Sequence, residues 1–329
     1  MSGIGHTSNA STAKLPPLPY KNGEKEDPAK SLVKTKTYFT TFCFELVALE
    51  FGEVPLVAAA LNAGVLQGGC DTFKIYSNVS WLPGVSNHKS CLSCVEQAYY
   101  GSLDFPIGGQ YSTRLNTRAF IDVWRHIFET RVWESHEWTI KLDADVMMRP
   151  DRLRSYLQLF LPTSAFYGQN VGDAMHGGIE VLTRPAVATY ATNKNTCENL
   201  KWADKGEDWY LSMCMQALNV SGMKMGLLMS EGENGGPIPC GGCDVSYHEF
   251  STTGEWDACL QETLLARPAV YFPGGYLCTT WTWWEILVTV VGILIGSCCL
   301  VRVCQMLRQY YRNSRSSRGE RLPLFPKRK

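Results

Sequence analysis

Trp138-Thr-Ile-Lys-Leu-Asp143-Ala-Asp145 is an apolar run that ends in two carboxylates two residues apart. If the run is a strand, the pair stands where the strand leaves its sheet, at the carboxyl edge where open α/β sheets bind ligands. Hard oxygen donors there suit Mg²⁺ or Mn²⁺, and such an ion can hold a diphosphate. The same pair also fits a solvated strand end or a helix cap. Three islands follow downstream. His176-Gly177-Gly178 leads into Ile-Glu-Val-Leu, a glycine turn that lets backbone approach a ligand closely. Gly206-Glu207-Asp208-Trp-Tyr opens a helical pattern. Acids in a first turn are ordinary partners of the helix dipole, and either one is also a candidate general base for an attacking hydroxyl. His248, in Val245-Ser-Tyr-His-Glu-Phe, reads either as a structural imidazole or as a further metal ligand. Arg114, Asn116 and Lys141 are additional polar groups near this presumed site.

The surrounding pattern supplies elements that position these residues. Thr41–Leu49, Asp71–Asn78, Trp138–Leu142, Phe166–Gln169 and Ile179–Leu182 read as strands, and Lys224–Met229 as extended. Pro55–Val65 reads as a helix with proline in its first turn. Phe120, Val123, Trp124, Ile127 and Phe128 fall at i, i+3, i+4, i+7 and i+8, which predicts a helix over 116–131. Helices are also predicted from Pro150 to about Phe160 and over Glu207–Leu218, with loop over 83–114. Strands alternating with helices predict an α/β fold with a mainly parallel sheet flanked by helices.

Composition bounds the class. The chain has 329 residues, 45% of them hydrophobic and 19% charged, with 31 basic and 31 acidic side chains. That suffices for a sizeable core, and the charge balance excludes a nucleic-acid footprint. The balance is uneven along the chain: nine basic residues and one acid lie between Arg302 and Lys329. Just before them, Ile286–Val301 reads ILVTVVGILIGSCCLV, preceded by Trp281, Trp283 and Trp284. A helix needs about 20 residues to cross a bilayer, so residues 278–301 read as one transmembrane helix with aromatic anchors and a basic cytoplasmic tail over 302–329. Residues 1–37 read as a disordered leader without an apolar signal segment. Residues 38–277 then form the lumenal domain. Ten cysteines precede the uninterrupted apolar stretch Ile286–Val301, an even number that suits several disulfides in an oxidising compartment. Cys91-Leu-Ser-Cys94 and Cys240-Gly-Gly-Cys243 could instead be halves of a zinc site. Asn9, Asn78 and Asn219 begin glycosylation sequons.

In type and order, Asp143-Ala-Asp145, His176-Gly177-Gly178, Gly206-Glu207-Asp208-Trp-Tyr and His248 resemble the β1,3-glycosyltransferase superfamily, the fringe and core 1 galactosyltransferase types included, across roughly residues 70–250. The resemblance implies a GT-A fold and transfer of a sugar from a UDP-sugar to a hydroxyl acceptor, with inversion. By the same resemblance, Asp143 and Asp145 grip Mn²⁺ or Mg²⁺ that bridges the donor diphosphate, Asp145 more directly, and His248 completes the metal shell. Gly177 and Gly178 border the donor, and the Glu207-Asp208 pair supplies the base, Asp208 in preference. The implied partners are a nucleotide-sugar donor, a glycan, glycoprotein or glycolipid acceptor and the lipid bilayer, in a single-pass protein of the secretory pathway, in the Golgi. Family members usually carry an N-terminal anchor, whereas the span here is C-terminal. Two other readings stay open. One is a catalytically inactive binding domain on the same fold. The other is a haloacid-dehalogenase-like phosphatase, whose D-x-D-x-[TV] nucleophile motif Asp143-Ala-Asp145-Val also fits.

Overall fold

Residues 39–109, 113–231, 240–265, 270–272, 275–277 and 305–307 are described by the structure, a computed structural model. In chain order the elements are β1 (Thr41–Leu46), α1 (Glu53–Asn62), α2 (Val65–Gly69), β2 (Thr72–Ser77), β3 (Val95–Gln97), β4 (Ile107–Gly108), β5 (Thr113–Arg114), α3 (Thr117–Thr130), β6 (Trp138–Leu142), β7 (Met147–Met148), α4 (Pro150–Leu157), β8 (Phe166–Gln169) and β9 (Ile179–Thr183). They continue with α5 (Arg184–Thr192), α6 (Lys194–Glu198), α7 (Glu207–Ala217), β10 (Ser221–Lys224), β11 (Met229–Glu231), β12 (Ser246–His248), α8 (Thr253–Leu265), β13 (Val270–Phe272) and β14 (Gly275–Leu277).

The central sheet has seven strands in the order β10-β8-β9-β6-β1-β2-β3. β9 alone runs against its neighbours β6 and β8, and the other pairs are parallel. Every residue of β6 is buried, as expected of a strand covered on both faces. Alternating side chains divide between two cores. Cys43, Ile75, Trp138, Ile140 and Val181 face one core, with Leu56, Leu153 and Trp256 of the helices over it. Phe42, Phe44, Tyr76 and Leu182 face the other, with Phe120, Trp124, Val187, Tyr190 and Tyr210. The result is an α/β architecture with a mostly parallel sheet between helical layers, as the pattern predicts. A second sheet, β11-β12-β7, stands beside it.

Several expectations change. The extended run over Lys224–Met229 is a turn between β10 and β11. The 83–114 loop contains β3, β4 and β5, and α2, α5, α6 and α8 were not anticipated. The zinc reading of the two C-x-x-C pairs is overturned: Cys91 is bonded to Cys94 and Cys240 to Cys259, and Cys243 is disulfide-bonded as well. Cys43–Cys70 and Cys197–Cys214 add two more disulfides, the first joining β1 to the approach to β2. Among the described residues no helix is long and apolar enough to cross a membrane. The leader over 1–37, the span over 278–301 and nearly all of the basic tail lie outside the described residues.

Candidate active site

Three pairings bring distant residues to the end of β6. Lys141 is in β6, and Asp143 and Asp145 follow it. β9 runs antiparallel to β6 with Ile179 opposite Leu142, so the turn before β9 meets the chain leaving β6. The Asp143 amide donates to the Gly178 carbonyl at 3.1 Å. Next, β7 pairs antiparallel with β12, Met147 opposite Tyr247 and Met148 opposite Ser246. His248 is thereby delivered to Asp145: Nε2 lies 3.4 Å from Oδ1, and the Phe250 amide donates to the Asp145 carbonyl at 3.1 Å.

The ligand atoms of Asp143, Asp145 and His248 lie within 4.8 Å of one another. The two aspartates keep 32% and 27% of their side chains exposed, so their oxygens are open to an incoming ion. Two carboxylates and an imidazole at one open corner fit a divalent cation such as Mn²⁺. Burial by itself would lower the His248 pKa, but its hydrogen bonds to Asp145 and Glu231 outweigh that and hold it up to about 10. At neutral pH the ring therefore carries a proton that a metal must displace.

Lys141 underlies this corner and is buried. Its ammonium donates to the Gly177 carbonyl and to Asp143 Oδ1, both at 2.7 Å. It also pairs with Glu207 and has Glu180 at 4.0 Å. Desolvation opposes the charge, but the carboxylates of Asp143, Glu207 and Glu180 outweigh it and hold the ammonium well above its ordinary range. Glu180 is fully buried, and burial, then repulsion from Glu207, raises its carboxyl well above its ordinary range, against the pull of Lys141.

The two candidate bases separate. Glu207 is 4% exposed and turned inward to Lys141, so it is not placed to take a proton from an incoming hydroxyl. Asp208 is half-buried at the start of α7. It stands across Gly177 from Asp143: a Cβ on that glycine would lie 3.4 Å from Asp143 Oδ2 and 3.7 Å from Asp208 Cβ. Gly178 is tighter still, since a Cβ there would meet Met229 Sδ at 2.5 Å and His248 Cγ at 3.0 Å. Gly178→Ala is expected to displace the His248 ring and weaken manganese binding by about 10- to 100-fold, the range seen when metal-ligand orientation is disturbed. An unchanged manganese affinity, read by electron paramagnetic resonance, would contradict that.

Other polar groups fall differently. Arg114 is exposed, with its guanidinium 4.5 Å over the Phe51 ring. Asn116 occupies the N-cap position of α3 and makes no side-chain cap hydrogen bond. Sequence reasoning gave no role to four residues around the corner. Glu45, inside β1, is pushed up to about 8 by burial and then by the charges of Asp143, Glu53 and Asp145. Glu53 is pushed up to about 7 by burial, against a hydrogen bond from the Ala48 amide. A carboxylate within an otherwise apolar strand was the available signal for Glu45. His176 was noted without a role, and Glu231 carries no local signal. These last two meet at 3.2 Å, and Glu231 also reaches His248 Nδ1 at 3.3 Å.

No protein family and no curated protein matches the chain. Solved structures resemble it loosely. The galactosyltransferase LgtC, in complex with donor and acceptor sugar analogues, superposes with a TM-score of 0.36 at 9% identity, covering 58% of this chain and 75% of that one. A glycosyltransferase involved in glycosylation of the major capsid of PBCV-1 superposes with a TM-score of 0.38 at 8% identity, covering 68% and 99%. A mutant of Drosophila β1,4-galactosyltransferase 7, complexed with manganese, UDP-Gal and xylobiose, gives 0.32 at 10% identity, covering 56% and 64%. Likeness of this degree carries no weight for the chemistry, which follows from the residues at the end of β6.

Proposed function

We propose that the chain is a metal-dependent glycosyltransferase that moves a sugar from a UDP-sugar to a hydroxyl acceptor, with inversion. The observation behind this is the meeting of Asp143 and Asp145, in the turn between β6 and β7, with His248 of β12 at the carboxyl edge of β6. That edge is where open α/β folds take nucleotides, and the donor set suits an ion that neutralises a departing diphosphate. In this reading Asp145, Asp143 and His248 hold Mn²⁺ or Mg²⁺. Gly177, without a side chain, keeps the gap between Asp143 and Asp208 clear for the donor, while Gly178 lets the His248 ring pack close against the turn. Asp208 accepts the proton of the acceptor hydroxyl as its oxygen bonds to the anomeric carbon. The bond from that carbon to the diphosphate breaks on the opposite face, and UDP leaves with the electron pair. Lys141 holds Asp143 and the Gly177 carbonyl in place.

Location and anchoring belong to the same proposal. The disulfides support an oxidising compartment such as the secretory lumen. The apolar segment over 278–301 and the basic residues after it support a single membrane anchor with the tail in the cytoplasm.

Calorimetry of UDP binding to the full chain tests the site. Binding is expected with Mn²⁺, with a loss of at least about tenfold in chelator or in Asp145→Ala, where one of three side-chain ligands is missing. Failure of the folded wild-type chain to bind UDP in manganese would sink the reading.

A further inference from the structure

His248 presents a different neighbour at each ring nitrogen. Nε2 faces Asp145 at 3.4 Å, and Nδ1 faces Glu231 Oε1 at 3.3 Å. The other Glu231 oxygen lies 3.2 Å from His176 Nε2. The ligand atoms of His176, Glu231 and His248 all fall within 4.8 Å of one another, a group separate from the strand-end set except for the shared imidazole. We propose that His176, Glu231 and the Nδ1 side of His248 form a second metal site, selective for zinc-like transition ions.

Donor chemistry selects the ion. Two imidazoles and one carboxylate suit Zn²⁺ and its neighbours, whereas Mg²⁺ and Ca²⁺ favour all-oxygen shells. Zinc bonds of about 2.0–2.2 Å place adjacent ligands of a tetrahedron roughly 3.3–3.5 Å apart. The two nitrogen–oxygen separations here, 3.2 and 3.3 Å, are close to that edge. His176 and Glu231 keep 35% and 34% of their side chains exposed, so the fourth position is open to water.

The backbone prepares this arrangement. Glu231 and His248 are register partners in the parallel pair β11–β12, so their side chains leave the small sheet next to each other. His176 sits in the turn before β9, clamped by the buried Asn170. Its amide donates to Asn170 Oδ1 at 2.7 Å, and its carbonyl accepts from Asn170 Nδ2 at 3.0 Å. The His176 Nδ1 is buried without a hydrogen-bond partner, so no second contact dictates which nitrogen the ring presents.

One consequence concerns the two ions. A neutral imidazole offers one lone pair and keeps a proton on its other nitrogen. An ion at Nδ1 therefore turns an N–H toward Asp145, and an ion at Nε2 turns one toward Glu231. While the ring keeps one proton the two sites compete for it, and zinc weakens the hold of the transferase site on its ion. That consequence rests on the proposed function, while zinc binding itself does not.

The test is zinc binding by the purified full chain, by competition with a chromophoric chelator, alongside the visible d–d bands of Co²⁺ as a probe of nitrogen-bearing tetrahedral coordination. About one site per chain is expected, kept in Asp145→Ala and weakened by at least about tenfold in His176→Ala and in Glu231→Gln, the loss expected at minimum when a ligand goes. Thermal melts check that each variant folds, and His176→Gln replaces His176→Ala if it does not. No zinc site in the folded wild type, or a site that His176 and Glu231 variants leave intact, overturns the proposal. So does a site that Asp145→Ala abolishes equally, because zinc would then occupy the strand-end set. Zinc binding that depends on His176 and Glu231, in a chain that fails to bind UDP in manganese, would uphold this site and reject the transferase reading.

Discussion

Asp208→Asn is expected to lower transfer by about 10²- to 10⁴-fold in kcat, the range that a positioned general base contributes, while manganese-dependent UDP binding persists. The substitution keeps the shape of the side chain and its Oδ1. That oxygen accepts a hydrogen bond from the Trp209 amide at 2.7 Å, so the start of α7 keeps its local contact. What disappears is the ability to accept a proton. In free energy the loss is about 3–5 kcal/mol of transition-state stabilisation. Parallel calorimetry and turnover measurements separate the two effects. If turnover stays within about tenfold of wild type, Asp208 is not the base. If UDP binding collapses as well, the residue belongs to the donor pocket rather than to proton transfer. Glu207→Gln should behave differently, because Glu207 is 4% exposed and bound to Lys141. Its cost should appear as lowered stability at least as much as lowered kcat.

Lys141→Met carries the largest expected effect on stability. The ammonium is 1% exposed and faces the carboxylates of Asp143, Glu207 and Glu180. Its removal leaves buried acids without their counter-charge, and breaking a buried pair in this way costs about 3–5 kcal/mol. For a domain of roughly 150–250 residues each kcal/mol moves the melting temperature by about 2–4 °C. A fall of roughly 6–20 °C should be visible in a thermal melt. The double variant Lys141→Met/Glu207→Leu should regain much of it, because replacing both partners of a buried pair with apolar groups is often close to neutral. A Lys141→Met melt within about 2 °C of wild type would show that the interior around β6 tolerates the acids unpaired. The assignment of Lys141 as the group that holds Asp143 would then fall.

These residues differ in how far the chain announces them. β6 and β8 were read with the bounds they have: β6 is buried throughout and apolar or β-branched but for Lys141, and the Phe166-Tyr167 pair opens β8. α3 was readable because its buried face repeats with the helical period. α8 was not, since among its described side chains Trp256, Cys259 and Thr263 are buried and Leu260 half-buried, a stripe of mixed polarity interrupted by Glu255, Asp257 and Glu262. At the site, Asp143 and Asp145 were legible from their place after a strand, and Asp208 from its place in a first helical turn. Lys141 looked like a polar group near the pocket and is instead a buried counter-ion, a fact that depends on two acids far along the sequence. Glu231 could not be read at all. Its neighbours in Met-Ser-Glu-Gly-Glu look alike, and only the register between β11 and β12 selects it.

The small sheet also bears on when the site comes into being. Met147 and Met148 are paired by residues made much later, and Trp256 reaches back to donate to the Val146 carbonyl across 110 positions of chain. Arg149 likewise donates to the Thr263 carbonyl. During synthesis, all seven strands of the large sheet emerge before the segment that closes over Asp145. Contacts of such long sequence separation form slowly. All strands of the large sheet are therefore available before the corner between Asp145 and His248 can close, and that corner waits until the chain has been made through β12 and α8.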